Sequence, residues 1–344
     1  MTKTEGSTKP KIAFVGLGAM GMGMAVHLLK DGFPVTGFDV NPMALETLLA
    51  MGGSAASSPR ECAHDASFCI CMVANSMQIE HVLFTESVGA VFGLKKDAII
   101  ILCSTVAPAF PQEVLDQVHH RFSRPDISLV DCPVSGGTLR AAQGTLTIIS
   151  SGAQDALKRA QPILRSLSQT VYLIEGGLGS ANKVKLINQH LAGVHIAIAA
   201  EAMGLAATIG LSTKLFYETV VQSPAHSWMF ENRVPHMLSN DWSPHSALSI
   251  FVKDMVSRTH LVTHRGEDAN MGHSGLSRLK VSVRTSLCIS HLRQRASIGL
   301  RRELVLKKKT ILASSEYSSP TICPWFQGRR TKKATQLTMS NSLI

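Results

Sequence analysis

The sequence predicts an α/β fold, a Rossmann-type doubly wound sheet followed by an incomplete all-α C-terminal domain. Three observations carry that expectation. Short apolar runs alternate with helical stretches from Lys11 to about Glu175. A glycine-rich turn, Gly16-Leu17-Gly18-Ala19-Met20-Gly21, follows the first apolar run directly. The Ala-rich run from Ser180 to Gly210 contains no Pro and breaks the alternation with one long helix.

Taken in order, KIAFV at 11–15 is a buried strand, and the helix after the glycine turn ends at Gly32. PVTGFD is a second strand closing on Asp39, 18 residues after Gly21. This βαβ unit carries GxGxxG where a dinucleotide site needs it. Gly16 permits the tight turn, Gly18 lets the backbone approach a pyrophosphate, and Gly21 lets the helix pack close to the strand. The helix N-terminus offers N–H donors to the phosphates. Asp39 can take both ribose hydroxyls and would repel a 2′-phosphate. No Arg follows it, so NAD is favoured over NADP.

SFCICMV, DAIIILCST, SLVDCPV, TLTIISSG and TVYLIE read as further strands, with MALETLLAMG, PQEVLDQVHHRF and DALKRAQPILRSLS as helices between strands. The strand ends are all small or polar turns: Val73-Ala74-Asn75, Ser104-Thr105 and Ser135-Gly136-Gly137. Ligands of open α/β sheets lie beyond these ends. Ser135-Gly136-Gly137 is either a plain turn or a nest of backbone N–H groups for an anion. Asp131 and Cys132 read as strand-end and core residues.

In the long helix, Val184, Ile187, Leu191, Val194 and Ile198 recur at helical spacing. Lys185, Asn188 and Gln189 share one face near its start. Two readings are open for that face. It is a solvated first turn, or it is the catalytic face of a helix joining two domains.

Length and composition bound the rest. The chain of 344 residues is 45% hydrophobic, enough for two domains with real cores. Seven Cys occur without CxxC spacing, several inside apolar runs, which fits reduced thiols in the cytoplasm. The start lacks the apolar core of a signal peptide, and His195 and Glu201 interrupt the most apolar run, so no membrane span is expected. The net charge of +10 is concentrated in the last quarter. Residues 256–344 hold 16 of the 34 Lys+Arg and 4 of the 24 Asp+Glu, a net of +12. That tail has no aromatic platform beyond Trp325-Phe326. His260 and His264 have no further ligand at metal-site spacing, so neither nucleic acid nor a metal is expected.

FVGLGAMGMGMAVHLLKDGFPVTGFDVNP, CSTVAP, DCPVSGGTLRAAQGTLTI, GLGSANKVKLINQHLAGVHIAIAAEAM, SWMFENRVP and FVKDM run in order over residues 11 to about 255. In these stretches the chain resembles the β-hydroxyacid dehydrogenases, the group of 3-hydroxyisobutyrate and L-threonate dehydrogenases, with the helix closer to the threonate branch. The resemblance implies a NAD-dependent dehydrogenase of a small hydroxyacid, threonate-like or 3-hydroxyisobutyrate-like. Lys185 matches the catalytic lysine, and Asn188 and Gln189 match two amides after it, with Gln in place of a second Asn. Ser135, Gly136 and Gly137 match the substrate-carboxylate loop. Thr105, Val73 and Ala74 match cofactor contacts, although Leu-Pro is usual at the last two. Lys253 matches a lysine near the nicotinamide. A free Lys, with a pKa near 10.4, is a poor base at neutral pH; burial beside cationic groups would lower that pKa.

The expected division is a NAD(P)-binding domain over 8–177, the start of a helical domain over 178–255, and a basic aperiodic tail over 256–344. The tail breaks from the resemblance after Met255 and reads as the product of a shifted frame or alternative exon. Two functional readings follow: an active dehydrogenase, or a truncated, catalytically inactive nucleotide-binding protein. The expected partners are a small hydroxyacid and, as an open option, further copies of the chain.

Overall fold

The computed structural model describes residues 9–241 and Asp254. The expectations for Lys253, for the rest of the FVKDM stretch and for the tail from Val256, with His260, His264 and Trp325-Phe326, lie outside the described residues.

The sheet begins with β1 (Ile12–Val15), helix α1 (Gly21–Lys30), β2 (Val35–Phe38), α2 (Pro42–Ala50), β3 (Ser54–Ala55), α3 (Pro59–Cys62) and β4 (Phe68–Cys71). It continues through α4 (Ser76–Phe84), β5 (Ile99–Leu102), α5 (Phe110–Asp116) and β6 (Ser128–Asp131). These strands are parallel in the order β3-β2-β1-β4-β5-β6. The reversal of strand order at β1 and β4 makes a crevice at their carboxyl ends. β7 (Val134–Ser135), α6 (Gly137–Gln143), β8 (Leu146–Gly152), α7 (Gln154–Leu167) and β9 (Ser168–Leu173) complete the sheet. β8 runs antiparallel to β6 and β7, and β9 pairs parallel to β8.

Strand periodicity builds two cores from the same residues. In β1, Ile12 and Phe14 join one layer while Ala13 and Val15 join the other. Phe68 and Ile70 divide from Cys69 and Cys71 in the same way, as do Ile99 and Ile101 from Ile100 and Leu102. Near-continuous apolar strands are what a parallel sheet covered on both faces requires. Full burial of each large side chain contributes about 1.5–3 kcal/mol. Cys62, Cys69, Cys71, Cys103 and Cys132 are buried free thiols, and burial pushes Cys62, Cys103 and Cys132 up, so they act as packing groups.

The helical part holds α8 (Ser180–Thr208), α9 (Thr213–Val221) and α10 (Trp228–Leu238). Ala199, Met203, Phe230 and Val234 form its small core. The Phe230 ring stacks on Tyr217 at 5.9 Å and meets Phe216 edge-on at 6.2 Å. Ser212 and Ser227 cap α9 and α10.

The apolar spacing noted in α8 marks its outer side. Ile187, Leu191 and Ile198 are 63%, 53% and 58% exposed. The inner side carries Ala181, Leu186, Ala192, Gly193, Ala199, Met203 and Ala206, with Ser180, Asn182 and Lys185 also buried. The small residues among them let the helix backbone approach its neighbours, while Ile187, Leu191 and Ile198 point away. By length and composition α8 could cross a membrane, with mean hydropathy of 1.5 in its best window. Its first turn is instead hydrogen-bonded to the sheet.

Candidate active site at the carboxyl edge of the sheet

The glycine turn leaves β1 with Gly16 at φ +96°, a conformation that strains any residue with a Cβ. A Cβ on Gly21 would collide with the Gly16 carbonyl, which is the close helix–strand approach expected of the third glycine. Gly18 is exposed and has open space around it, a gap that a ligand backbone contact can use. α1 starts with no side-chain cap and no acidic residue in its first turn, so its N–H groups are open to an anion. Leu17 donates its N–H to Asp39 Oδ2 at 2.7 Å, and Asn41 donates to Oδ1 at 2.8 Å. Asp39 therefore shapes the loop that follows β1. Ala19 is exposed and Met20 half-buried on the same turn. These residues fit a dinucleotide.

The next strand ends come to the same edge because the strands are parallel. Ser104 donates to the Val73 carbonyl at 2.7 Å, tying the end of β5 to that of β4. Ala74 donates its N–H to Gln78 Oε1 at 2.8 Å. Thr105 is half-buried beside them in sequence. Gly136 at φ +140° and Gly137 at φ +74° open α6 right after Ser135. Both angles are glycine conformations, so this loop is built for bare backbone.

The first turn of α8 closes the edge. Asn182 accepts from the Val106 N–H at 3.0 Å and donates from Nδ2 to Asp131 Oδ1 at 2.5 Å. Its backbone N–H reaches Asp131 Oδ2 at 3.1 Å, and Ser151 Oγ joins the same carboxylate at 3.4 Å while accepting from Ala181 N–H at 3.0 Å. Burial raises the Asp131 carboxyl to about 6, and hydrogen bonds from Asn182 and Ser151 hold it from rising further. Lys185 follows one turn later and is 5% exposed. Asn188 is exposed, and Gln189 is half-buried and donates to the buried Asp254 Oδ2 at 2.8 Å.

Of the residues expected from sequence, the described structure brings the glycine turn, Asp39, the Val73 and Thr105 turns and the start of α8 to one edge. Three residues that matter there were not singled out as site residues: Asn182, Ser151 and Asp254. Asn182 was visible as an amide three residues before Lys185, and Asp254 as the acid of FVKDM. Their partners are distant in sequence, so spacing could not reveal the pairs.

Fold and strand-end loops together define a NAD(P)-binding oxidoreductase. Residues 11–176 match the NAD binding domain of 6-phosphogluconate dehydrogenase, and residues 179–277 match the NAD-binding domain of NADP-dependent 3-hydroxyisobutyrate dehydrogenase. The chain is 40% identical to L-threonate dehydrogenase of Cupriavidus necator over 244 residues, covering 71% of this chain and 80% of that protein. It is 31% identical to NAD-dependent L-serine dehydrogenase of Pseudomonas aeruginosa, covering 78% and 90% of the two chains. The crystal structure of 3-hydroxyisobutyrate dehydrogenase from Salmonella typhimurium superposes with a TM-score of 0.69 at 36% identity, over 81% of this chain and 95% of that one. The chain belongs to the β-hydroxyacid dehydrogenase family, the 3-hydroxyisobutyrate dehydrogenase-like group, and is by family a NAD-dependent dehydrogenase.

Proposed function

We propose that the protein oxidises a small hydroxyacid of the threonate type, with Lys185 as general acid/base. The observation that carries this reading is the placement of Lys185: buried, on the turn of α8 that Asn182 ties to Asp131 and Val106 at the carboxyl edge of the sheet. A lysine that takes the hydroxyl proton must be held against the reacting carbon. Bound NAD supplies the hydride acceptor. The Gly16–Gly21 turn and Asp39 hold its pyrophosphate and ribose, with Val73, Ala74, Thr105 and Lys253 as further contacts. Ser135, Gly136 and Gly137 hold the substrate carboxylate through backbone N–H groups, so that the hydroxyl carbon is oriented before reaction. Asn188 and Gln189 orient the lysine and substrate, and Asp254 fixes Gln189. The similarity to L-threonate dehydrogenases at 40% identity favours a polyhydroxy acid over a branched apolar one. In domain terms, residues 8–177 hold the cofactor and 178–255 supply the lysine.

The test is a panel of threonate, 3-hydroxyisobutyrate and serine followed by NADH absorbance, with Lys185→Ala as control. Turnover with threonate that falls on the order of 10²–10⁴-fold in Lys185→Ala supports the reading. Cofactor binding without Lys185-dependent turnover overturns it in favour of a catalytically inactive nucleotide-binding protein.

A further inference from the structure

The start of α8 is buried, yet Gly179 at its N-cap position offers no side chain to cap it. The first N–H groups of a helix have no partner within it, so a buried start needs acceptors from elsewhere. The sheet supplies two. The Ala181 N–H donates to Ser151 Oγ at 3.0 Å, and the Asn182 N–H to Asp131 Oδ2 at 3.1 Å. Ser151 lies on β8 and Asp131 ends β6, so the helix is capped across the fold. A carboxylate at this end also meets the positive pole of the helix dipole. The Asn182 side chain extends the cap toward the strand ends. Its Nδ2 donates to Asp131 Oδ1 at 2.5 Å, and its Oδ1 accepts from the Val106 N–H at 3.0 Å. Val106 directly follows Thr105, whose neighbour Ser104 holds the Val73 carbonyl. Asp131 leads through β7 into the Ser135-Gly136-Gly137 loop. Lys185 lies three residues after Asn182, about one turn along the helix.

We propose that Asp131 is a positioning residue for Lys185: through its paired contacts with Asn182 it fixes the start of α8 against the strand ends assigned to cofactor and substrate. The inference rests on the reading of Lys185 as general acid/base. Asp131 acts through Asn182 and the helix, not on the substrate. The donor pattern makes the residue type specific. Asn182 Nδ2, the Asn182 N–H and the Ser151 hydroxyl all donate to the carboxylate. An amide at position 131 would turn its own NH₂ group against one of these donors. Exchanging the two side chains restores the match. In Asp131→Asn/Asn182→Asp the amide at 131 donates to the carboxylate at 182, which still accepts from the Val106 N–H. The amide oxygen at 131 then takes the backbone N–H at 182 and the Ser151 hydroxyl.

Steady-state kinetics with threonate and NAD on the full chain, with NAD titration alongside, test this. A small misplacement of a reacting group is costly, so Asp131→Asn is expected to lower kcat at least about tenfold while the NAD Kd stays within about twofold. The exchanged pair is expected to recover kcat to within about threefold of wild type, as coupled partners do. Ser151→Ala removes one acceptor of the cap and should lower kcat less, again with NAD binding kept. Wild-type kcat in Asp131→Asn overturns the proposal. So does NAD affinity that falls in step with kcat, or an exchanged pair as slow as Asp131→Asn. Where Asp131→Asn fails to fold, Ser151→Ala decides, and wild-type kcat in it overturns the proposal. Amide hydrogen exchange over residues 181–186 separates this outcome from failure of the Lys185 reading. Turnover that Lys185→Ala retains, or a wild type without turnover, defeats that reading alone. Exchange then decides the clamp: faster exchange in Asp131→Asn or Ser151→Ala than in wild type supports it, and equal exchange overturns it.

Discussion

Asn182 grips Asp131 twice, from its side-chain Nδ2 to Oδ1 at 2.5 Å and from its backbone N–H to Oδ2 at 3.1 Å. The pair fastens the last residue of β6 to the first turn of the helix that bears Lys185. Without such a tie a long helix leaving a sheet has many packing angles open to it, and a lysine on it would have no fixed distance to a cofactor.

The pair has a defined pH signature. The folded-state value for Asp131 is about 6, above its ordinary 3.8, because burial disfavours the carboxylate. The native state therefore keeps a proton that the unfolded chain has released between these values. The contribution is fully present below about pH 4 and is lost as pH rises through about 6, on the order of 3 kcal/mol. Urea unfolding of wild type and Asp131→Asn between pH 4 and 7 measures it. The wild type should lose stability relative to the variant across that window, and parallel pH profiles would contradict the assignment. Asp131→Ala should cost about 1–3 kcal/mol for each buried donor left without an acceptor.

Gly179 gives a second test of the same joint. It adopts φ +83° just before α8, and a Cβ there would run into the carbonyl of Pro108. Gly179→Ala should lift the helix start away from the loop after β5 and cost about 1–3 kcal/mol from the backbone alone. Cofactor binding should survive better than turnover. Equal kcat in variant and wild type would mean that the joint does not position the lysine.

Asp39 should control cofactor choice. Its carboxylate also holds the Leu17 N–H at 2.7 Å, so Asp39→Ala removes loop support as well as the proposed ribose contact. Asp39→Asn keeps an acceptor for Leu17 while removing the charge that repels a 2′-phosphate. The ratio of NAD to NADP in kcat/KM should therefore fall at least about tenfold in Asp39→Asn, with a smaller loss of stability than in Asp39→Ala. Unchanged selectivity would show that another group reads the ribose.

Phe230 tests the independence of the helical part. It is 5% exposed in a core of four buried residues, stacked on Tyr217. Phe230→Ala should cost about 3–5 kcal/mol and loosen α9 and α10 while leaving the sheet folded. Hydrogen exchange should show loss of protection confined to residues after about 195. Global unfolding at the same temperature as the sheet would indicate one cooperative unit instead.

Local rules carried much of the architecture. The turn from Gly16 to Gly21 works through conformations that only glycine adopts without strain, so a short stretch of sequence suffices to recognise it. The apolar runs at 12–15, 68–71 and 99–102 announce a sheet covered on both faces, because strand periodicity is a property of neighbours along the chain. Lys185 could be picked out because a resemblance in ordered motifs surrounds it.

What required folding was every pairing between distant residues. Asp131 and Asn182 are 51 residues apart, and Gln189 and Asp254 are 65 apart. Nothing in either stretch names its partner, since a hydrogen bond depends on where the sheet edge and the helix meet in space. The orientation of α8 is the clearest instance. Its apolar spacing identifies a helix with one greasy side, but hydropathy ranks Ile above Ala, and close packing prefers Ala where backbones approach. Tertiary contact turned Ala192, Gly193 and Ala199 inward with Lys185 and left Ile187, Leu191 and Ile198 facing out.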